Sequence, residues 1–290
     1  MEAPVPVLAA GLAEAVDRLS DFVRRHPRLV VLTGAGCSTE SGIPDYRDPL
    51  GAWKRPPPVQ YQDFMQKESA RRRYWARSMV GFPLMAAAAP NATHRWLVEH
   101  EAAGGVELLV TQNVDGLHQQ AGSRDVVDLH GRISDVVCVD CGMQLPRSLL
   151  QTRLESLNGA LMQRTAGPAR AAPDGDADVE GMVLDDFRIP RCDHCNGTLK
   201  PAVVFFGESV PKNRVSRTMA SLGEADALLV LGSSLMVYSG FRFCREAARL
   251  GMPIASVSLG TTRADDLLEL KLEARCGALF EQLSGSAPAA

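Results

Sequence analysis

The chain has 290 residues, a net charge of −3 at pH 7, 46% hydrophobic residues and 22% charged residues. These values are typical of a globular protein with one large domain, or with one large and one small domain. A charge so close to zero argues against a protein that binds nucleic acid or a membrane surface electrostatically. No apolar run reaches the length of a membrane span, so we expect neither kind of partner.

The first segment reads MEAPVPVLAAGLAEAVDRL. It contains acidic residues and lacks an early basic region, so it resembles neither a secretory signal nor a mitochondrial presequence. Apolar residues recur at helical spacing over residues 9–25 and predict an amphipathic helix. We expect a cytoplasmic protein, in which the seven cysteines serve as thiols or metal ligands rather than as disulfides.

The segment 29–47 reads LVVLTGAGCSTESGIPDYR. Its apolar start predicts a buried parallel strand, and the glycines at Gly34 and Gly36 lack β-carbons, so the backbone can approach a phosphate. The polar residues that follow suit a helix cap and a ribose contact. Strand, glycine turn and helix start together predict a dinucleotide phosphate site, although Gly42 falls later than the third glycine of G-x-G-x-x-G.

Apolar, strand-like runs recur along the chain and alternate with helical stretches. The runs lie at 29–33, 106–111, 126–129, 202–206, 227–232 and 254–259, and helical stretches at 91–103, 210–222 and 238–250. This alternation predicts an α/β fold: a Rossmann-like, mostly parallel sheet with helices on both faces. Ligands of such sheets bind beyond the carboxyl ends of the strands.

Two segments interrupt the alternation. Residues 44–90 predict a flexible cofactor loop followed by a helical insert, with its charged aromatic helix at 66–79. Residues 136–200 predict a small zinc-binding module around a loop at 158–181, which is rich in Gly, Pro, Asp and Ala. The Rossmann-like domain then comprises 1–43, 91–135 and 201–290.

Four cysteines have the spacing of a metal site. Cys138-x2-Cys141 and Cys192-x2-Cys195 form two knuckles that can present four thiolates to one zinc ion. Four protein ligands fill the coordination shell, so we expect a structural Zn²⁺ in a zinc-ribbon module. The module carries seven basic and nine acidic residues, which disfavours a nucleic-acid-binding ribbon. Four unrelated thiols remain the alternative.

Polar clusters follow three of the predicted strands. The run at 106–111 leads into Gln112, Asn113 and Asp115, and the run at 227–232 leads into Ser233 and Ser234. His130 is the only histidine placed directly after a strand, and neutral imidazole suits a general base near pH 7. We interpret His118 as a structural residue that satisfies its loop, and His26, His94 and His100 as ordinary core or surface residues. We interpret Cys244 as a small buried hydrophobic residue. The sequence assigns no role to Cys37 or Cys276 by spacing.

Several of these pieces resemble the sirtuins, a family of NAD-dependent protein lysine deacylases. The matching pieces are GAGCSTESGIPDYR, TQNVDGLHQQAGS, DLHG, the two C-x2-C pairs, KPAVVFFGE and GSSLMVYSG. They occur in the family's order over about residues 10 to 282. The strings YWAR, VYSG and TRADD resemble the class II branch, which includes the mitochondrial deacylase and ADP-ribosyltransferase, and we expect a bacterial member. Ser258 departs from the family, where many members have Asn, and puts an adenosine-ribose contact in doubt.

The resemblance implies NAD as co-substrate, one structural Zn²⁺ and acyl-lysine proteins as substrates. In the family mechanism the acyl oxygen attacks the ribose anomeric carbon, and a base then activates a ribose hydroxyl. The resemblance makes His130 that base, with Asn113 also catalytic, and Asp115 a partner of the nicotinamide carboxamide. The expected cofactor-binding residues are Gly34, Ala35, Gly36, Ser38, Glu40, Ile43, Asp45, Tyr46, Arg47, Gln112, Asn113, Asp115, Gly232, Ser233, Ser234, Ser258 and Cys276.

The resemblance also places Tyr74 and Arg77 at an acyl pocket. The two residues share a helix face at i and i+3, and a phenol beside a guanidinium can bind an acyl carboxylate. The alternative is a solvated basic helix face, since Arg71, Arg72 and Arg73 stand beside the pair.

Two other functions use the same motifs. An ADP-ribosyltransferase on this scaffold also begins by expelling nicotinamide, so motifs do not separate it from a deacylase. A non-catalytic NAD sensor requires a damaged catalytic set, and His130, Asn113 and Asp115 are all present. The sequence leaves the oligomeric state open and slightly favours a monomer.

Overall fold

The structure, a computed structural model, describes residues 9–48, 50, 52–54, 58–163 and 184–285. The strands are β1 Leu29–Thr33, β2 Val106–Thr111, β3 Val126–Asp128, β4 Gly131–Cys138, β5 Gln144–Pro146, β6 Leu199–Val203, β7 Ala227–Leu231, β8 Ile254–Val257 and β9 Leu270–Leu272. The helices are α1 Ala9–Arg25, α2 Tyr61–Gln66, α3 Glu68–Ala86, α4 Ala92–Ala102, α5 Leu117–Ala121, α6 Arg147–Gln163, α7 Lys212–Glu224, α8 Tyr238–Arg249 and α9 Cys276–Gly285.

Six strands form a parallel sheet in the order β3-β2-β1-β7-β8-β9. Strand β1 is buried along its whole length, and successive side chains point to opposite faces. Val31 packs with α1, α4 and α9 on one face, and Val30 packs with α7 and α8 on the other. The predicted α/β fold with helices on both faces is confirmed.

The first helix shows how the sequence pattern produces this packing. Helix α1 has the predicted bounds, and Val16, Leu19 and Phe22 lie on the face that it buries against the sheet. Each large apolar side chain buried in this way contributes about 1.5–3 kcal/mol. No helix of the described ranges is both long and apolar enough to cross a bilayer.

A second, antiparallel sheet has the order β5-β4-β6. The strand expected at 202–206 lies at Leu199–Val203 and belongs to this small sheet, so its assignment to the parallel sheet was wrong. An apolar run does not reveal its partner strand. Here Cys138 at the end of β4 pairs with Leu199, the first residue of β6, and the cysteine knuckles lie beside that pair.

The helical insert and the zinc module share one hydrophobic core. Phe64 of α2 and Trp75 of α3 lie in the same buried cluster as Val136 of β4 and Leu199 of β6. We therefore propose that the insert and the module, which the sequence treats as separate segments, form one small lobe beside the parallel sheet.

Helix α6 runs through the first part of the loop expected at 158–181, and that part of the expectation was wrong. The Asn158 side chain is buried, donates to the carbonyl oxygens of Leu154 and Arg188, and accepts from the Arg188 amide. The two bonds to Arg188, thirty residues away, fix Asn158 in the helix despite its low helix propensity. Residues 164–183 of that loop lie outside the described residues.

Gly131 joins the two sheets and allows a test of this architecture. It has φ +82°, and a β-carbon there would overlap the carbonyl oxygen of Ala202 on β6. We expect Gly131→Ala to lower the free energy of unfolding by at least about 3 kcal/mol, since backbone strain and a backbone clash add. Gly251→Ala is the matched control, because Gly251 has φ +68° with open space around it, and should cost about 1 kcal/mol. Denaturant unfolding measures the stability loss of each variant. Equal losses in the two variants would contradict the proposed clash between a β-carbon at position 131 and the Ala202 carbonyl oxygen.

Candidate active site

A cavity of about 1430 Å³ lies at the carboxyl ends of the parallel strands. The residues that follow β1, β2, β7 and β8 all line it. Chain order reverses between β1 and β7, because the strands that follow β1 in sequence lie on its other side. This is the switch point at which open parallel sheets bind their ligands.

The turn after β1 packs directly against the turn after β7. The Gly34 amide donates to Leu231 O (2.9 Å) and the Gly36 amide donates to Gly232 O (2.8 Å). A β-carbon on Gly34 would lie 2.8 Å from Ser233 Cβ. The absence of β-carbons therefore allows the two turns to pack in direct contact. This contact forms one wall of the cavity from the backbones of both turns.

His130 lies at the cavity wall with a defined tautomer. Its Nδ1 is 2.9 Å from Gln112 O and its Nε2 is 2.8 Å from Ser239 Oγ. A carbonyl oxygen only accepts, so Nδ1 carries the proton and Nε2 accepts from the serine. Burial lowers the pKa of His130 to about 4, although the bond to Gln112 opposes the shift. The ring is thus neutral near pH 7, with its basic nitrogen on the Ser239 side.

The amide side chains after β2 hold the two turns: Gln112 bridges them, and Asn113 bonds to the turn after β1. Gln112 Nε2 donates to Thr33 O (3.2 Å) and to Ser233 Oγ (2.9 Å). Asn113 Nδ2 donates to Gly34 O (3.0 Å) and to Ser38 Oγ (3.1 Å). Both side chains line the cavity, and these bonds fix their orientation toward it.

The Asp115 carboxylate is held by one distant and one local hydrogen-bond donor. Its carboxylate accepts from Ser38 Oγ (2.8 Å) and from the Leu117 amide (2.9 Å). Burial raises the pKa of Asp115, and both hydrogen bonds oppose that rise. Neither Asp115 nor Ser38 is among the residues that line the cavity, so the structure places them as supports of Asn113.

A hairpin carries three of the predicted cofactor residues. Asp45 Oδ1 pairs with Lys54 Nζ at 2.5 Å, and the Arg47 guanidinium lies 4.0 Å from the centre of the Trp53 ring. The Tyr46 and Trp53 rings meet edge to face with centroids 6.0 Å apart. Asp45 and Arg47 thus hold the two sides of the hairpin together over the cavity.

The structure brings most of the predicted site residues to one cavity. The lining includes Gly34, Ala35, Gly36, Asp45, Tyr46, Arg47, Tyr74, Gln112, Asn113, His130, Gly232, Ser233, Ser234, Ser258 and Cys276. Ser38, Glu40, Ile43, Arg77 and Asp115 are not part of it.

Two of the residues outside the lining have other partners. The Glu40 carboxylate accepts from the amides of Gly277 and Ala278 and so caps the start of α9. Ile43 is buried in the core of the small lobe. Ser258, which departs from the family pattern, does line the cavity, with its hydroxyl 3.5 Å from Ser256 Oγ.

Sequence reasoning missed several residues of the cavity. Trp53, Phe206, Ser239, Arg242 and Arg275 line it and were not among the predicted site residues. Ser239 could have been found, because it lies within the string GSSLMVYSG, which follows a predicted strand. Trp53 and Phe206 depend on a contact between distant segments, which local patterns do not show.

Of the two residues predicted to bind the acyl group, Tyr74 lines the cavity and Arg77 does not. Tyr74 is buried, lines the cavity and packs against Phe205 with ring centroids 5.2 Å apart. Arg77 is half-buried on the next turn of α3. Its neighbours are not simply solvated, since Arg71 donates to two carbonyl oxygens at the end of α2 and Arg72 pairs with Glu68.

The four knuckle cysteines converge away from the cavity. Their sulfur atoms all lie within 4.8 Å of one another. Cys138 and Cys195 are 3.5 Å apart, and Cys141 and Cys192 are 3.7 Å apart. Tetrahedral zinc with Zn–S bonds of about 2.3 Å requires sulfurs about 3.8 Å apart. The set fits a structural Zn²⁺, which would join β4 to the segment before β6.

The chain matches known proteins over most of its length. The sequence model of the Sir2 family matches residues 34–239. A protein of Xanthomonas campestris pv. campestris (strain 8004), named NAD-dependent protein deacetylase, is 55% identical over 269 residues, which cover 93% of this chain and 91% of that protein. The NAD-dependent protein deacylase Sirt4 of Drosophila melanogaster is 45% identical over 282 residues, 96% of this chain and 89% of that protein. A solved structure of Sir2 with a p53 peptide and NAD⁺ superposes with a TM-score of 0.75 and 30% identity, covering 93% of this chain and 97% of that one.

Zinc removal tests the cysteine site. We expect the purified protein to keep about one zinc per chain through exhaustive dialysis, and strong chelation to lower its unfolding midpoint, because metal binding is coupled to folding. Cys195→Ser should lose that zinc. Cys244→Ala, a buried cysteine outside the knuckles, should keep it. A chain that is zinc-free yet has an unchanged midpoint would contradict the structural role.

Proposed function

The chain belongs to the Sir2 family, the sirtuins, and on that premise we propose that it is an NAD-dependent protein-lysine deacylase. The reaction transfers the acyl group of an acylated lysine to ADP-ribose and releases nicotinamide. The observation that carries this proposal is His130: a neutral imidazole with its basic nitrogen fixed, at the wall of a cavity lined by the glycine turn.

The donors at the cavity fit NAD. The cavity is large enough for a dinucleotide, and the glycine turn at Gly34 and Gly36 brings backbone to its wall. The hydroxyls of Ser233, Ser234 and Ser258 line the same space and suit ribose or phosphate oxygens. NAD supplies an ADP-ribosyl group whose anomeric carbon accepts the acyl oxygen as nicotinamide leaves.

His130 and Asn113 have separate roles at the nicotinamide ribose: His130 accepts a proton, and Asn113 orients the sugar. We assign His130 Nε2 as the base that takes a proton from a ribose hydroxyl. In the described structure this nitrogen accepts from Ser239, so the substrate hydroxyl replaces the serine as donor. Asn113, held by Gly34 O and Ser38, presents its remaining polar atom to the nicotinamide ribose.

The acylated lysine enters from the side of the small lobe. Val203, Phe205 and Phe206 follow one another along this wall, and Tyr74 closes it. An apolar wall suits the aliphatic stem of a lysine, and the phenol ring of Tyr74 gives the acyl end a polar contact.

ADP-ribosyl transfer to protein is the weaker candidate. The Xanthomonas and Drosophila relatives are named for deacetylation and deacylation. A silent NAD sensor is disfavoured too, since His130 and Asn113 both line the cavity. Product analysis separates these functions, because only a deacylase yields O-acyl-ADP-ribose and free lysine.

The pH profile tests His130. Because burial lowers its pKa to about 4, the ring stays neutral well below pH 6.5, and acid removes the base only near pH 4. We expect kcat/KM, which reports the free enzyme, to change by less than about twofold from pH 7.5 to 5.5, where a histidine with the ordinary pKa would lose about tenfold. His130→Ala should lower kcat by roughly 10²–10⁴ with NAD affinity unchanged. An acid limb centred near pH 6.5 would contradict the lowered pKa of His130, and a fully active His130→Ala variant would refute its role as the base.

Arg77 tests acyl preference. If it binds an acyl carboxylate beside Tyr74, Arg77→Met should lose about 1.5–3 kcal/mol of transition-state stabilisation against glutaryl-lysine peptides, the scale of a charged hydrogen bond. Turnover of acetyl-lysine peptides should change little. Arg73→Met, on an exposed position of the same helix, is the matched control and should leave both unchanged. Equal losses on both peptides, or none, would favour a helix face without a role in acyl recognition.

A further inference from the structure

Three potential metal ligands lie together beneath the glycine turn, away from the zinc knuckles. The Cys37 sulfur and one ring nitrogen each from His94 and His118 all lie within 4.8 Å of one another. All three side chains are buried, with exposed fractions of 0%, 0% and 1%. His94 and His118 pack with ring centroids 4.7 Å apart.

His118 presents an unprotonated nitrogen. Thr33 Oγ1 donates its only hydrogen to Thr111 Oγ1 (2.8 Å), so the contact of 2.9 Å between Thr33 Oγ1 and His118 Nε2 requires the histidine to donate. The proton therefore sits on Nε2, and Nδ1 holds a lone pair. That Nδ1 is buried with no hydrogen-bond partner, a feature that the expected structural role of His118 in its loop does not explain.

His94 can adopt the same arrangement, with the two nitrogens exchanged, when it binds a metal. Its Nδ1 lies 3.1 Å from Asn91 Oδ1, an acceptor, and 3.3 Å from the Asn91 amide, a donor. In the described structure Nδ1 accepts from that amide as part of the helix cap, and a shift of the proton from Nε2 to Nδ1, which then donates to Asn91 Oδ1, frees Nε2 for a metal. Nε2 then holds the lone pair, and this atom too is buried without a partner. Histidines that ligate metals typically donate their other N–H to an oxygen in this way.

We propose that Cys37, His94 and His118 form a second metal site, for a thiophilic ion such as Zn²⁺. One thiolate and two neutral imidazoles are ligands that Zn²⁺ prefers. The ion would satisfy two buried nitrogens that otherwise lack partners, which is a cost of about 1–3 kcal/mol each. The thiol of Cys37 would lose its proton to solvent as the metal binds.

The site would join three elements that hold the cavity wall. Cys37 belongs to the turn after β1, His94 to α4 and His118 to α5. Asn91 already donates to Cys37 O at 2.8 Å, so the residue that orients His94 also fixes the cysteine backbone. The ion would thus anchor the glycine turn from below, without itself lining the cavity.

Metal titration of the zinc-loaded protein tests the proposal. After dialysis to about one zinc per chain, added Zn²⁺ should raise the content to about two per chain. Added Co²⁺ should give a thiolate-to-cobalt absorption band. Cys37→Ala and His94→Gln should each abolish the second equivalent and the band, whereas Cys244→Ala, also fully buried, should keep both. Circular dichroism checks that every variant is folded.

Two results would overturn the proposal of a second metal site. If the wild type binds no second equivalent, the two histidines are a paired core element and no more. If folded Cys37→Ala still takes the second ion, the ion lies elsewhere. Both readouts are independent of catalysis, so they remain informative if the proposed deacylase function fails.

Discussion

The structure depends on one backbone contact, the meeting of the turns that follow β1 and β7. Two amide hydrogen bonds join them. The turns lie so close together that a β-carbon on Gly34, Gly36 or Gly232 would clash with the facing turn. This contact brings together segments about two hundred residues apart and forms one wall of the cavity. Gln112 then bonds across the same junction, and Asn113 bonds to Gly34 on the β1 side of it, so the proposed catalytic geometry rests on this contact.

The parallel sheet and its helices could be predicted, because their signals are local. Each strand of the parallel sheet that was predicted is an apolar run with a polar or glycine end, and α1 has an unmistakable apolar stripe. The run at 202–206 failed because its strand pairs with β4, and pairing is a property of two distant segments. Asn158 failed for a related reason: its helix is held by a bond to Arg188, thirty residues away.

The part of the site that lies at the strand ends could also be predicted from local patterns. Residues at strand ends were found, because parallel strands bring their carboxyl ends to one edge. The helix-capping role of Glu40 was not found, since its partners on α9 lie more than two hundred residues away along the chain. His94 and His118 show a further limit. Their residue types suggest core positions, and only the orientation of each ring reveals which nitrogen lacks a partner.

The cap that Glu40 places on α9 has a consequence for how the chain is made. Glu40 and Gly277 are separated by 237 residues, and β1 pairs with β7 across nearly as long an interval. Domains emerge from the ribosome amino terminus first. The glycine turn is therefore synthesised before α9, and the contact between Glu40 and α9 forms only after α9 has been made. Until β7 has been synthesised, one edge of β1 lacks its partner strand, and long-range pairing of this kind is slow.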